Sequence, residues 1–207
     1  VEHALNCKTG GFIAIRHNEI RDISANLLSD VCKDVKIEPG LEPLTGEHFE
    51  EKSVAKEDEA RVDISARGFW SRGQTAFCDV RVFSPLAKSY VSRNLAAVYR
   101  SQEKEKKRKY NLRIQHVDRG TFTPLVFSCF GGMGLETARF YHRLAHLISD
   151  RRKVEVCQVS AWLKAKLNFS LIRTMQLCIR GTRKKKVESD VIESLDDVVY
   201  INKIASI

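Results

Sequence analysis

Two short runs constrain the fold more than anything else in the chain. In 60–69, which opens Ala60-Arg61-Val62-Asp63-Ile64, apolar and polar residues alternate as along a strand with one buried face. The run Thr75-Ala76-Phe77-Cys78-Asp79-Val80-Arg81-Val82-Phe83 reads as a second strand, ended by Ser84-Pro85. Residues 68–74 between them form a hairpin turn region. A two-stranded hairpin is marginal alone in water, so the rest of the chain must cover its apolar face.

Apolar residues Ile20, Ile23, Leu27, Leu28 and Val31 predict a helix over 18–33. Pro39 and Pro43 rule out a longer helix, leaving a short extended piece over 35–44, and 45–58 is polar, acidic and loop-like. The charged, helix-forming stretch 89–116 stops at Gly120, and 122–130 is the apolar run of a buried strand. Gly131-Gly132-Met133-Gly134 turns into a helix over 135–149. The spacing predicts a last helix over 156–179, with Val159, Leu163, Leu167 and Leu171 on one stripe and Phe169, Ile172, Met175 and Ile179 on another. Two stripes predict packing on two sides, with Trp162 in the core. A basic tail, 184–207, carries a short extended segment at 198–201. The order helix-strand-strand-strand-helix-strand-helix-helix predicts an α/β domain over 18–183, a mixed central sheet flanked by helices. Residues 1–17 are an N-terminal tail.

The 207 residues suffice for one sizeable domain, and 43% hydrophobic with 29% charged residues exclude collagen-like and wholly disordered classes. The longest uncharged stretch, 120–135, holds four glycines and a proline, so no membrane span is expected. The chain opens on Val1 with no signal-peptide pattern, which reads as a piece of a longer protein. Its net charge is +9, yet 38–59 holds eight acidic residues against two lysines, so the remainder carries +15. Much of that lies in 104–113 and 180–186, an asymmetry that predicts a polyanionic partner, DNA or RNA, rather than a small-molecule substrate. Six scattered cysteines lack the spacing of a disulfide framework and predict reduced thiols in nucleus or cytoplasm.

Asp63 points away from the side shared by Val62 and Ile64, while Asp79 and Arg81 share a face of the next strand. Neighbouring strands would bring both carboxylates to one divalent ion, and hard Mg2+ or Mn2+ prefers such oxygens. Glu19 borders the buried stripe of the first helix and can point at the sheet, with Asp22 as its alternate. Structural alternatives stand beside each: an Asp63–Arg pair, an Asp79–Arg81 pair, and a solvated Glu19. On the long helix, Lys106, Lys107, Arg108, Lys109 and Arg113 can track a phosphate backbone or simply be solvated. The lysine-arginine string is also similar to a nuclear import signal. The glycine turn at 131–134 is an anion site or a plain strand-to-helix turn. His3 and Cys7 form an H-x3-C pair, half of a zinc site or two residues of a frayed terminus. No serine sits in a nucleophile elbow.

The order acid, strand aspartate, strand aspartate-x-basic resembles the PD-(D/E)XK restriction-endonuclease-like fold. The wording is more specific. His17-Asn18-Glu19-Ile20-Arg21-Asp22, Glu59-Ala60-Arg61-Val62-Asp63-Ile64, Ala76-Phe77-Cys78-Asp79-Val80-Arg81-Val82-Phe83-Ser84-Pro85, Glu105-Lys106-Lys107-Arg108-Lys109-Tyr110 and Gly120-Thr121-Phe122-Thr123-Pro124-Leu125-Val126-Phe127 resemble the C-terminal region of reverse-transcriptase polyproteins of animal retroelements, over about 2–183. Site-specific non-LTR retrotransposons place a zinc knuckle and then a restriction-like endonuclease there, and His3 and Cys7 resemble the last two ligands of such a knuckle. The resemblance implies a metal-dependent DNA endonuclease within a larger polyprotein. Asp63 and Asp79 would hold the metal, Glu19 would bind it indirectly or orient the water, and Arg81 would polarise the phosphate. Two departures stand out: Val62 replaces the family's proline, and Arg81 its lysine. Arginine keeps its proton at every relevant pH. The lysine function would then pass to Lys106, one turn from Tyr110 on the long helix, or be lost. The rivals are a catalytically inactive nucleic-acid-binding module of the same fold and a protein–protein module.

Overall fold

The computed structural model describes residues 2–7, 10–41 and 61–181. The loop expected at 45–58, the segment at 198–201 and the basic residues beyond Gly181 lie outside the described residues. In chain order the elements are α1 (Glu2–Asn6), α2 (Phe12–Ser29), β1 (Lys33–Ile37), β2 (Ile64–Arg67), β3 (Thr75–Phe83), α3 (Leu95–His116), β4 (Thr121–Ser128), α4 (Leu135–Arg152) and α5 (Val156–Arg180). The strands form one sheet in the order β1-β2-β3-β4. The β1–β2 and β2–β3 pairs are antiparallel, and β3–β4 is parallel. A parallel pair needs a crossover, and α3 supplies it. This is a mixed α/β topology with a central sheet flanked by helices.

Element bounds depart from the sequence expectations for local reasons. Helix α2 begins at Phe12 rather than at 18, because Gly11 takes the left-handed conformation (φ 71°) that turns the chain into it. Helix α3 begins at Leu95 rather than at 89. Asn94 caps it, its Oδ1 accepting from Ala96 N at 2.9 Å. Strand β2 is shorter than 60–69, because pairing with β3 stops at Ile64↔Cys78 and the chain bends at Asp63.

The two sheet faces bury different sets of residues. Ile64, Ala66, Cys78, Val80, Leu125 and Phe127 join the main core with residues of α2, α4 and α5. On the other face α3 covers Phe77 and Phe122 with Tyr110 and Ile114, and it covers Phe83 and Val126 with Val98 and Tyr99. Between Phe77 and Phe83, that same face carries Asp79 and Arg81. The period-2 pattern of β3 thus places two charged residues in a gap between two apolar patches under α3.

Helix α5 buries one stripe, and of the second only Met175 is half-buried, against Leu5, Cys129 and Cys178. Val159, Leu163, Leu167 and Leu171 are buried, whereas Phe169, Ile172 and Ile179 are exposed, Phe169 by 75%. Trp162 is likewise exposed rather than core, with the cations of Lys166 and Arg152 5.5 and 5.8 Å from its ring. The glycine turn before α4 already has an anion: Glu103 Oε1 of α3 accepts from Glu136 N at 2.9 Å. A Cβ on Gly134 would stand 2.2 Å from that oxygen, so the close approach requires glycine. The turn is therefore an internal helix cap, not an open anion site.

Candidate active site

Strand β3 carries Asp79 through the middle of the sheet, and β2 delivers Asp63 beside it. Extending the Ile64↔Cys78 register by one residue sets Asp63 opposite Asp79. The backbone bends there instead of continuing the ladder. Asp63 N donates to Cys78 O at 3.1 Å, and Asp63 Oδ2 accepts from Val80 N at 2.5 Å. The carboxylate thus takes over an N–H of β3 that a longer β2 would have paired. This holds Asp63 at the point where the sheet loses its neighbouring strand.

Helix α2 reaches the same point from the opposite side. His17 Nε2 lies 3.1 Å from Asp63 Oδ2 and 3.1 Å from Val80 O. The hydrogen bond to Asp63 holds the imidazolium form, raising the His17 pKa above 6.5 against the opposing effect of burial. Sequence reasoning passed over His17 in favour of Glu19. The available signal was spacing: His17, Ile20 and Ser24 recur at i, i+3 and i+7, and Ile20 and Ser24 are buried.

Helix α3 closes the third side. Lys106 Nζ lies 2.5 Å from Asp79 Oδ2, with both side chains largely buried. That oxygen is fully enclosed, with the Lys106 ammonium as its counter-ion. One turn on, the Tyr110 hydroxyl donates to Asp79. Burial pushes the Asp79 carboxyl above its ordinary range; Lys106 pulls it back, and the charge of Asp63 pushes it up again. Burial, with Asp79 beside it, pushes the Tyr110 phenol up to about 12, so it stays a donor at neutral pH.

The other sequence candidates fall in four groups. Arg81 shares the α3-covered face with Asp79, and its guanidinium lies 3.2 Å from Glu105. Asp79 and Arg81 therefore do not pair with each other. Glu19 is on α2 but ion-pairs with Arg173 of α5, away from Asp63 and Asp79. Asp22 pairs with Arg21 at 2.8 Å, so neither helix acid joins the two strand acids. The basic residues of α3 do not form one row. Lys106 faces Asp79, Lys107 lies 3.2 Å from Glu136, Lys109 sits over the Tyr110 ring at 4.8 Å, and Arg108 is exposed. Arg113 is half-buried further along the helix. The reason is periodicity: at 100° per residue, four consecutive basic residues circle the helix. His3 and Cys7, one turn apart, border a separate cavity with Arg81.

Among the described residues, no group of three His, Cys, Asp or Glu side chains is placed to share a metal ion. Asp63 and Asp79 lie near enough for the charge of Asp63 to act on Asp79, and each is held by one cation, His17 and Lys106. Carboxylate oxygens are the ligands a hard divalent cation prefers, and an ion at Asp79 would compete with Lys106 for the enclosed oxygen. The sequence matches no family model, and it shows no significant similarity to a curated protein.

His17 makes a pH prediction. A folded-state pKa raised above 6.5 means that the His17–Asp63 pair stabilises the fold fully below about pH 6.5. That stability is lost as pH rises through the folded-state value. Urea unfolding between pH 6 and 9 is expected to show wild-type stability falling more steeply with pH than that of His17→Gln. Equal slopes would remove the pair from the stability balance.

Proposed function

We propose that this chain is a metal-dependent endonuclease domain of restriction-like fold that hydrolyses DNA phosphodiester bonds, as part of a retroelement-type polyprotein. One observation supports the reading: at the bend where β2 leaves β3, Asp63 stands near enough for its charge to act on buried Asp79, which Lys106 pairs. Burying two acids and an amine between apolar patches is expensive and has a simple rationale in phosphoryl chemistry. A divalent Mg2+ or Mn2+ held there supplies Lewis-acid charge and a water of lowered pKa. Asp63 and Asp79 hold that ion, and His17 fixes the Asp63 carboxylate in place. Lys106 neutralises phosphate charge or orients the attacking water, the role that Arg81 cannot share as a proton carrier. Tyr110 keeps Asp79 oriented as a hydrogen-bond donor. Arg81, on the same face, is positioned to take a phosphate oxygen.

A second reading, an inactive nucleic-acid-binding module, is favoured by the ion pairs that already satisfy both acids in part: His17 on Asp63 and Lys106 on Asp79. Plasmid nicking separates the two. The nuclease requires Mg2+ or Mn2+ and loses nicking in Asp63→Asn. A wild-type protein that binds plasmid but never nicks it under any divalent ion would establish the binding module.

A further inference from the structure

The exposed stripe of α5 has the spacing of a coiled-coil seam. Trp162, Phe169, Ile172 and Ile179 stand seven, three and seven residues apart, with Ala165 and Gln176 at the intervening positions. All six are exposed, so a seam about 26 Å long at 1.5 Å per residue is open among the described residues. Lys166, Arg173 and Arg180, again seven residues apart, line one edge of it, and α5 contains no acidic residue. Arg173 is engaged by Glu19 of α2, which leaves Lys166 and Arg180 as the free charge of that edge. A second copy of α5 is a poor occupant. In an antiparallel pair the cationic edges would face each other, and in a parallel pair they would face Asn168 and Met175, which bear no opposite charge. Nucleic acid would meet the cations but leave the aliphatic Ile172 and Ile179 without a partner.

We infer that residues 187–198 of this same chain cover the seam, folding back along α5 as an antiparallel helix. These residues lie outside the described ones, and their sequence has the complementary pattern. Val187, Val191, Leu195 and Val198 fall at i, i+4, i+8 and i+11, one face of a helix. Glu188, Asp190, Glu193, Asp196 and Asp197 add five negative charges, with no lysine or arginine among them. The connection is also the right length. Gly181 ends α5 with φ 57°, and the five residues 182–186 fall within the usual helix–helix connection of about two to eight. Twelve residues wound as a helix span about 18 Å, enough to run from Ile179 past Phe169. The inference uses no residue of the proposed active site, so it stands whether or not the domain is a nuclease.

Hydrogen exchange on the full chain, followed by mass spectrometry without nucleic acid, tests this. Amides of 187–198 are expected to exchange at least about tenfold more slowly than in a synthetic peptide of the same sequence. Phe169→Asp sets a charge in the seam at an exposed position. It is expected to return those amides to the peptide rate while leaving β3 and β4 protected as in wild type. Leu195→Asp, which changes no described residue, is expected to do the same. Wild-type amides at the peptide rate overturn the inference. So does protection that survives in either folded variant, which would seat the segment elsewhere. Protection lost on about hundredfold dilution, with a dimer in the ultracentrifuge, assigns the seam to a second copy. Unprotected 187–198 together with weaker oligonucleotide binding by Phe169→Asp assigns it to nucleic acid. Either assignment overturns the inference.

Discussion

Asp79→Asn is expected to abolish Mg2+-dependent nicking, by at least about 10³-fold, while making the protein more resistant to heat. The loss comes from removing one of the two carboxylates proposed to hold the ion, since a bound divalent ion supplies several kcal/mol of transition-state stabilisation. The gain comes from the sign of the pKa shift. Burial raises the folded-state pKa of Asp79 above its unfolded value. The associated stability is full below the unfolded value and is lost as pH rises through the folded one, so at neutral pH the ionised carboxylate strains the fold. Asparagine keeps the shape and removes the charge, and Lys106, partly exposed, can turn its ammonium to water. A gain of about 0.5–2 kcal/mol is the usual scale where an active-site charge is neutralised. Calorimetry also yields a second readout. Mg2+ at a hundredfold excess over its Kd is expected to stabilise wild type by about 2.7 kcal/mol and to leave Asp79→Asn unmoved. An Asp79→Asn protein that melts lower, keeps its Mg2+ response and still nicks would place the metal elsewhere.

Much of this arrangement was legible in the sequence because β3 is regular. A strand alternates its side chains between two faces, so the period of two puts Asp79 and Arg81 together once the run ending at Ser84-Pro85 is read as a strand. Lys106 and Tyr110 were legible as one face of a helix, though only the fold shows that this face meets Asp79 rather than solvent. Glu19 and Trp162 misled for a related reason. Each borders an apolar stripe, and a stripe does not say which of its borders meets another element. Arg173 on α5 draws Glu19 outward, and no described element crosses α5 at Trp162. His17 was illegible because its role depends on Asp63, 46 residues away, at a bend that a run of alternating residues does not announce.

Lys106→Met is expected to lower nicking by about 10²–10³-fold, the scale for one preorganised cationic or donor group at a phosphoryl site. It is also expected to destabilise the fold, because it leaves Asp79 buried without its counter-ion. Breaking a buried pair from one side costs about 3–5 kcal/mol. That penalty is expected to shrink as pH falls, since a protonated Asp79 needs no counter-ion. Stability alone would therefore not distinguish a structural brace from a catalytic lysine, and the double variant Lys106→Met/Asp79→Asn first measures the structural share of the pair. It removes both charges, so its stability is expected to return to near wild type, with a coupling of about 1–3 kcal/mol between the two positions. Its nicking is expected to stay absent. That absence follows from the missing Asp79 carboxylate, so the lysine is tested in Lys106→Met itself, cooled until it is folded, where lost nicking makes Lys106 part of the chemistry. If folded Lys106→Met nicked like wild type, Lys106 would be a brace for Asp79, and the cation that meets the phosphate would have to be sought at Arg81, two residues along the same face of β3.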